Sequence, residues 1–300
     1  MYKDFGELVE KAKAATPMKT MAVAAALDDH VLAAVCRAYR DGIVDPLLFG
    51  KKEEIKKIIG ALGMPLPEEQ IIDAQTPEDA ASLAVQAVRN GSAKFLMKGL
   101  LDTSVMLKAV LDKENGIGTG GVISCIGMFS LPCYKKIFGL SDGAVIMFPD
   151  LNTKIQIIKN AIRVFSQMGY ERIKIAALSS VEKVNPKMPD TLDAQALKEM
   201  CQKGELGNCV LDGPMPYDLV FDEEAARIKK YESAVTGDAD FLLMPDIVSG
   251  NILSKVLRLH ANAELAGVIV GAKCPIVLTS RGTSVESKYL SIAVVSQMAG

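Results

Sequence analysis

Tryptophan is absent from this 300-residue chain, and histidine nearly so, with only His30 and His260. The shortage bears on mechanism first, because a Ser-His-Asp or Cys-His device would have to use one of these two. His30 opens a helical segment in "LDDHVLAAV" and His260 closes one in "KVLRLHANA", settings that suit structural or solvated side chains. None of the six cysteines forms C-x-x-C, which argues against a structural zinc site. Cysteines scattered along a chain of this length read as small buried hydrophobes. No apolar run approaches the roughly 20 residues needed to cross a bilayer. The N-terminal "MYKDFGELVEKAKAA" lacks the apolar core of a secretory signal, so the expected location is cytoplasmic. Blocks of basic residues are missing too, and the net charge is −2, which argues against nucleic acid and membrane surfaces as partners. Walker A, H-E-x-x-H and EF-hand signatures do not occur.

What is present is a rhythm. Short apolar runs alternate with longer stretches of helical period, as in "MKTMAVAAA" followed by "DDHVLAAVCRAYRDG". "IVDPLLFG", "KKEEIKKIIGALG", "EQIIDA", "TPEDAASLAVQAVRNG", "AKFLMKG" and "TSVMLKAVLDK" continue it, with Thr76 suited to an N-cap and Pro77 to a first helical position. Repeated β-α units with short glycine turns predict mostly parallel sheets covered by helices. Near residues 114–150 the rhythm breaks into successive strand-like runs, which suggests an antiparallel pair, and then it resumes. Three hundred residues exceed what one core usually serves. The expected division is a first α/β domain of residues 1–118 and 268–300, with a second α/β domain, 119–267, inserted in it. The final strand, "CPIVLTS", would return to the first domain.

Several segments have the composition of binding loops. "GIGTGG" satisfies the dinucleotide pattern G-x-G-x-x-G, but a helix precedes it and a strand follows, the reverse of what pyrophosphate binding needs. It reads as an interdomain turn. In "GDADFLLMPDIVSGN" a strand ends in Asp246 and a helix begins near Asn251. Ligands of open α/β sheets gather at such strand ends, although Ser249 or Asn251 as a plain helix cap accounts for the stretch equally well. "FPDLNTK" (148–154) offers a similar Pro-Asp turn after a strand, and Ser179 and Ser180 lie at another strand end. The richest segment is "VLTSRGTSVESK", residues 277–288. A helix that begins after a strand presents unpaired N–H groups and a partial positive charge, a ready site for anions. Ser280 adds a hydroxyl donor, Arg281 a bidentate guanidinium, and Gly282 close backbone approach, with Thr283 and Ser284 adjoining. A capping box, Thr283-x-x-Glu286, accounts for two of these residues but not for Ser280-Arg281-Gly282.

"ALSSVEKVNPKMPDTLDA", "GDADFLLMPDIVSGNILSK" and "CPIVLTSRGTSVESKYLS" together resemble the phosphate acyltransferases, the phosphate butyryltransferases more than the acetyltransferases. The resemblance runs over nearly the whole length and is densest after residue 173. It implies two α/β domains around a central cleft, related to the isocitrate and isopropylmalate dehydrogenases, in a homodimer or larger homo-oligomer. It implies as well the conversion of acyl-CoA and inorganic phosphate into acyl phosphate and free CoA. No metal and no permanently bound cofactor would take part, coenzyme A being substrate and product. Ser280 and Arg281 match the family's active-site serine and arginine, the first for the thioester oxyanion and the second for phosphate, by preorganised electrostatics and proximity. Two departures stand out. The acetyltransferases carry an aspartate base where this chain has Ser287, and Glu286, one residue earlier, projects about 100° away on a helix; Glu286 stays a candidate for the base beside its capping role. They also use an arginine after the fourth strand, where Thr103, Ser104 and Lys108 are the nearest donors here, lysine lacking the bidentate fork. The expected acyl group is butyryl or a branched relative. Acetyl or propionyl is the nearest alternative, since one methylene separates substrates by only about 1–3 kcal/mol. A dehydrogenase of the related fold, or an acyl-CoA sensor without turnover, is the more distant one.

Overall fold

The computed structural model of the chain describes residues 1–64, 66–280 and 282–299. It divides into two compact units. The first comprises Phe5–Gly121 and Leu265–Gly300; the second comprises Met1–Asp4 and Val122–Glu264. The first four residues thus group with the second unit rather than with the segment that follows them. Backbone and side-chain bonds explain this: Ile137 N–H donates to the Tyr2 carbonyl at 3.1 Å, and Tyr2 N–H to the Tyr170 hydroxyl at 3.2 Å.

The first unit opens with α1 (Phe5–Ala14), β1 (Lys19–Ala24), α2 (Asp29–Arg40), β2 (Val44–Gly50) and α3 (Lys52–Ala61). It continues with β3 (Ile71–Asp73), α4 (Pro77–Arg89), β4 (Phe95–Lys98) and α5 (Thr103–Val110). Met21 to Ala24 are wholly buried, as expected of a parallel strand covered on both faces. Thr76 caps α4 by accepting from Asp79 N–H at 3.1 Å, and Pro77 takes the first helical position.

The second unit contains β5 (Ser124–Ser130), β6 (Phe138–Ser141), α6 (Leu151–Gln167), β7 (Ile173–Leu178) and α7 (Pro189–Gln202). After these come β8 (Cys209–Met215), α8 (Tyr217–Phe221), α9 (Glu223–Ile228), β9 (Phe241–Leu243) and α10 (Ile247–His260). Its strand order is β5-β6-β9-β7-β8. Only β5, antiparallel to β6, departs from parallel pairing. The apolar run before "FPDLNTK" is not a strand; residues 144–148 are bent, irregular backbone, and Met147 and Phe148 are exposed. Asp142 turns the chain there by accepting from Ala144 and Val145 N–H groups, which stops β6 at Ser141.

The chain then returns to the first unit with β10 (Glu264–Val270), β11 (Ile276–Val277) and α11 (Val285–Met298). Strand order in that unit is β3-β2-β1-β4-β11-β10, parallel except for β10 against β11. β10 is a strand that the sequence pattern did not announce; "ELAGVIV" precedes another apolar run with no helix between. The "GIGTGG" segment is tied back to the turn after β10, through a bridge from Gly118 to Ala272 and a 2.6 Å bond from the Thr119 hydroxyl to the Gly271 carbonyl. Helix α11 is buried almost all round and packs against α1 and α2. Among the described residues no helix is long and apolar enough to cross a membrane.

Candidate active site

Strand β4 lies between β1 and β11 and runs parallel to both, so the carboxyl ends of the three strands are neighbours. Adjacent strands sit about 4.8 Å apart, which brings the loops that follow them side by side. The loop after β4 is laced to the end of β1 by two backbone bonds, Gly99 N–H to the Ala24 carbonyl at 2.8 Å and Leu100 N–H to Ala25 at 2.7 Å. Gly99 permits this closeness, since a Cβ there would collide with the Ala25 carbonyl. Lys98, buried at the last position of β4, donates to the carbonyls of Gly99 at 3.3 Å and Leu101 at 2.9 Å. Helix α5 then starts after Asp102, whose side chain forms no cap bond to it. The N–H end of α5, with Thr103 and Ser104, therefore stands at this strand end with its partial positive charge.

The loop after β11 carries the motif. Thr279 is buried, Ser280 exposed, and Thr283 N–H donates to the Ser280 carbonyl at 3.1 Å, closing a four-residue turn. Arg281, a principal residue of the sequence reading, lies outside the described residues; Gly282 is exposed with open space around its Cα. Helix α11 is capped by Ser284, which accepts from Ser287 N–H at 3.2 Å. The cap thus falls one residue later than the capping box predicts. Thr283 is used to close the turn, and Glu286 turns the other way to pair with Arg37 of α2. Arg37 also lies 3.7 Å over the Tyr289 ring, whose hydroxyl donates to Asp41 at 2.5 Å. Ser287, which stands where the acetyltransferases have their aspartate, is buried and donates to the Leu265 carbonyl on β10. Glu286 and Ser287 point to α2 and β10 respectively, as a step of about 100° requires.

Lys288, absent from the sequence reading, is 2% exposed. Its ammonium donates to the carbonyls of Thr283 at 2.9 Å and Ser280 at 3.2 Å. Burial lowers its pKa, and Asp28, the cap of α2, opposes the shift. A signal for it existed: one lysine in the apolar helix "VESKYLSIAVVSQM", at a depth where lysine is rarely buried without partners.

Ser104, besides standing in the first turn of α5, borders a groove between α4 and α5 that Lys108 lines with Ser82, Gln86 and Arg89. Lys108 is in the last turn of α5, away from that helix's N–H end. Asp246, in the second unit, caps α10 by accepting from Ser249 N–H at 2.9 Å. Asn251 donates to the Gly143 carbonyl at 2.9 Å, and Gly250 leaves room for this close approach of α10 to the Asp142 loop. Both polar groups thus have structural partners. His30 and His260 are exposed. Cys36 and Cys274 are buried, and desolvation raises their thiol pKa values to about 11 and about 12, which suppresses the thiolate.

Comparison with known proteins shows the family to which the chain belongs. The family profile "Phosphate acetyl/butaryl transferase" matches residues 74–296. The chain is 43% identical to a phosphate acetyltransferase of Thermotoga maritima over 288 residues, 96% of this chain and 97% of the relative. It is 40% identical to a phosphate butyryltransferase of Clostridium acetobutylicum over 300 residues, 100% of this chain and 99% of the relative. Among solved structures, a branched-chain phosphotransacylase from Enterococcus faecalis superposes with a TM-score of 0.83 at 32% identity, over 94% of this chain and 99% of that one.

Proposed function

We propose that this chain, which belongs to the phosphate acetyl/butyryl transferase family and is a phosphate acyltransferase, takes butyryl-CoA or a branched short-chain acyl-CoA as its donor. The observation that carries the reading of the site is the closed Ser280–Thr283 turn, which follows β11 and stands beside the start of α5 on the adjacent strand end. One phosphate oxygen attacks the thioester carbonyl in a ternary complex, the carbon–sulfur bond breaks, and the proton of hydrogen phosphate ends on the CoA sulfur. The balance requires no protein base, and Glu286 is left out of the proton chemistry because its carboxylate pairs with Arg37. Arg281 grips the phosphate and Ser280 donates to the thioester oxyanion. Gly282 admits the substrate to the backbone, and Thr103 and Ser104 supply donors from α5. Lys108, Asp246 and Asn251 take no part. Coenzyme A enters and leaves as substrate and product, with no resident cofactor, and both substrates are those of the cytoplasm.

The acyl class is tested by CoA release from butyryl-, isobutyryl- and acetyl-CoA, each with and without inorganic phosphate, the thiol being titrated after the reaction is stopped. We expect release that requires phosphate and is fastest with the four-carbon donors. Fastest turnover of acetyl-CoA would reassign the chain to the acetyltransferase side of its family.

A homodimer completes the proposal. On α10, Val248, Ile252, Val256 and Leu259 are 53%, 57%, 45% and 62% exposed and share one helical face, with Met147 and Phe148 also exposed in the loop bonded to its start. Such an apolar stripe marks an interaction surface. Sedimentation should give a dimer for the parent and a monomer for Ile252→Glu; a monomeric parent would remove this part of the reading.

A further inference from the structure

We propose that Lys288 is a positioning residue: its buried ammonium holds the Ser280–Thr283 turn in the conformation that binds phosphate. The inference rests on the reading of that turn as the phosphate and thioester site.

Two physical terms oppose a lysine at this place. It is 2% exposed, so its charge has been taken out of water. It is also the fourth residue of α11, close to the positive end of the helix, where a cation is disfavoured. What offsets them is specific. The ammonium donates to the carbonyls of the first and last residues of one turn, Ser280 and Thr283, and the Ser280 carbonyl also accepts from Thr283 N–H. The turn is therefore fixed at both ends, with Arg281 and Gly282 between them. An apolar side chain of equal length would avoid the burial cost yet leave the Thr283 carbonyl without this partner. The positive charge bonded to the turn also favours an anion held by it, so the same group sets geometry and local potential.

A lysine that served only to stabilise the helix would behave differently from one that positions the turn. The test uses the full chain and the variants Lys288→Met, Lys288→Gln and Arg281→Ala, with Lys136→Met as reference. Lys136 is a buried lysine of the second unit that pairs with Asp238 and Asp240, remote in sequence from the turn. For each, kcat and the KM values for phosphate and acyl-CoA are measured with thermal unfolding. A displacement of about 1 Å at a reacting group costs up to about 100-fold in rate. We expect Lys288→Met to raise the phosphate KM by about 10- to 100-fold with the acyl-CoA KM little changed. Lys288→Gln, which keeps an amide donor, should recover part of that loss and gives the readout if Lys288→Met does not fold. Lys136→Met should lower thermal stability and leave both KM values as they were. A parent-like phosphate KM in both Lys288 variants, with Arg281→Ala inactive, would overturn the positioning role and leave the site standing. An Arg281→Ala protein with parental activity would overturn the site, and this inference with it.

Discussion

Asp142, just past β6, holds its loop by accepting backbone N–H groups from Cys125, Ala144 and Val145, at 2.7 to 2.8 Å. Lys98, at the end of β4, and Lys288, in the first turns of α11, hold the loops after β4 and β11 by donating to backbone carbonyls. The two units share an architecture of mostly parallel strands with helices, yet the loop after β6 in the second is latched by a carboxylate and the loops after β4 and β11 in the first by ammonium groups. The consequence is chemical. A carboxylate latch occupies N–H groups, the donors that an oxyanion would use. An ammonium latch occupies carbonyls and adds positive potential. Asp28, Asp73, Thr76 and Ser284 do accept at helix starts in the first unit, but each takes one backbone N–H. The proposed phosphate site at the β4 and β11 ends of the first unit draws on this difference: donors are left for an oxyanion there, whereas Asp142 of the second unit takes up three.

The contrast breaks if the wrong substitution harms the wrong property. Ser280→Ala should lower kcat by roughly 100- to 1,000-fold, as removal of one oxyanion donor does, with an unchanged thermal midpoint because Ser280 is exposed. Asp142→Ala should do the reverse. It leaves three N–H groups without their charged partner, in a site where the aspartate is 1% exposed, and should cost on the order of 3–5 kcal/mol in unfolding free energy. The phosphate KM of the folded fraction should match the parent's. An Asp142→Ala protein that kept its stability and lost phosphate affinity would erase the distinction between the units.

Much of this was legible in the sequence where local chemistry decides. The β-α rhythm, the Thr76-Pro77 helix start and the Ser280 segment rest on periodicity and on residue types with fixed conformational roles. What escaped depended on contacts between distant segments. Thr283 and Ser284 are equally good caps as residues; the turn bond to Ser280 assigns the cap to Ser284. Glu286 fits a capping box until Arg37, 249 positions earlier in the chain, draws it off. Asp246 reads as a substrate group because it sits at a strand end, and in the fold one of its carboxylate oxygens caps α10 by accepting from Ser249 N–H. Lys288 is the clearest case, since a sequence does not show that a lysine points inward.

The smallest effects sharpen the same contrast through pH. Asp238, in the second unit, is pushed up by burial, but hydrogen bonds from Lys174, Lys136 and Lys135 outweigh this and hold its carboxyl well below the usual 3.8. Its contribution to stability is therefore present above about pH 4 and is lost as pH falls through the lower folded value. Lys288 shifts downward from 10.5, chiefly through desolvation. Between its folded value and 10.5 the unfolded chain holds more protons than the native one, so this group makes folding more favourable as pH rises. Asp238→Asn should flatten the acid limb of the unfolding profile and leave the alkaline limb alone, while Lys288→Met should do the opposite. Unfolding free energies from urea titrations across pH 2–11 separate the two. A Lys288→Met profile that keeps the parent's alkaline slope would mean that the ammonium meets the same surroundings folded and unfolded, and that a charge is not what distinguishes the strand ends of the first unit.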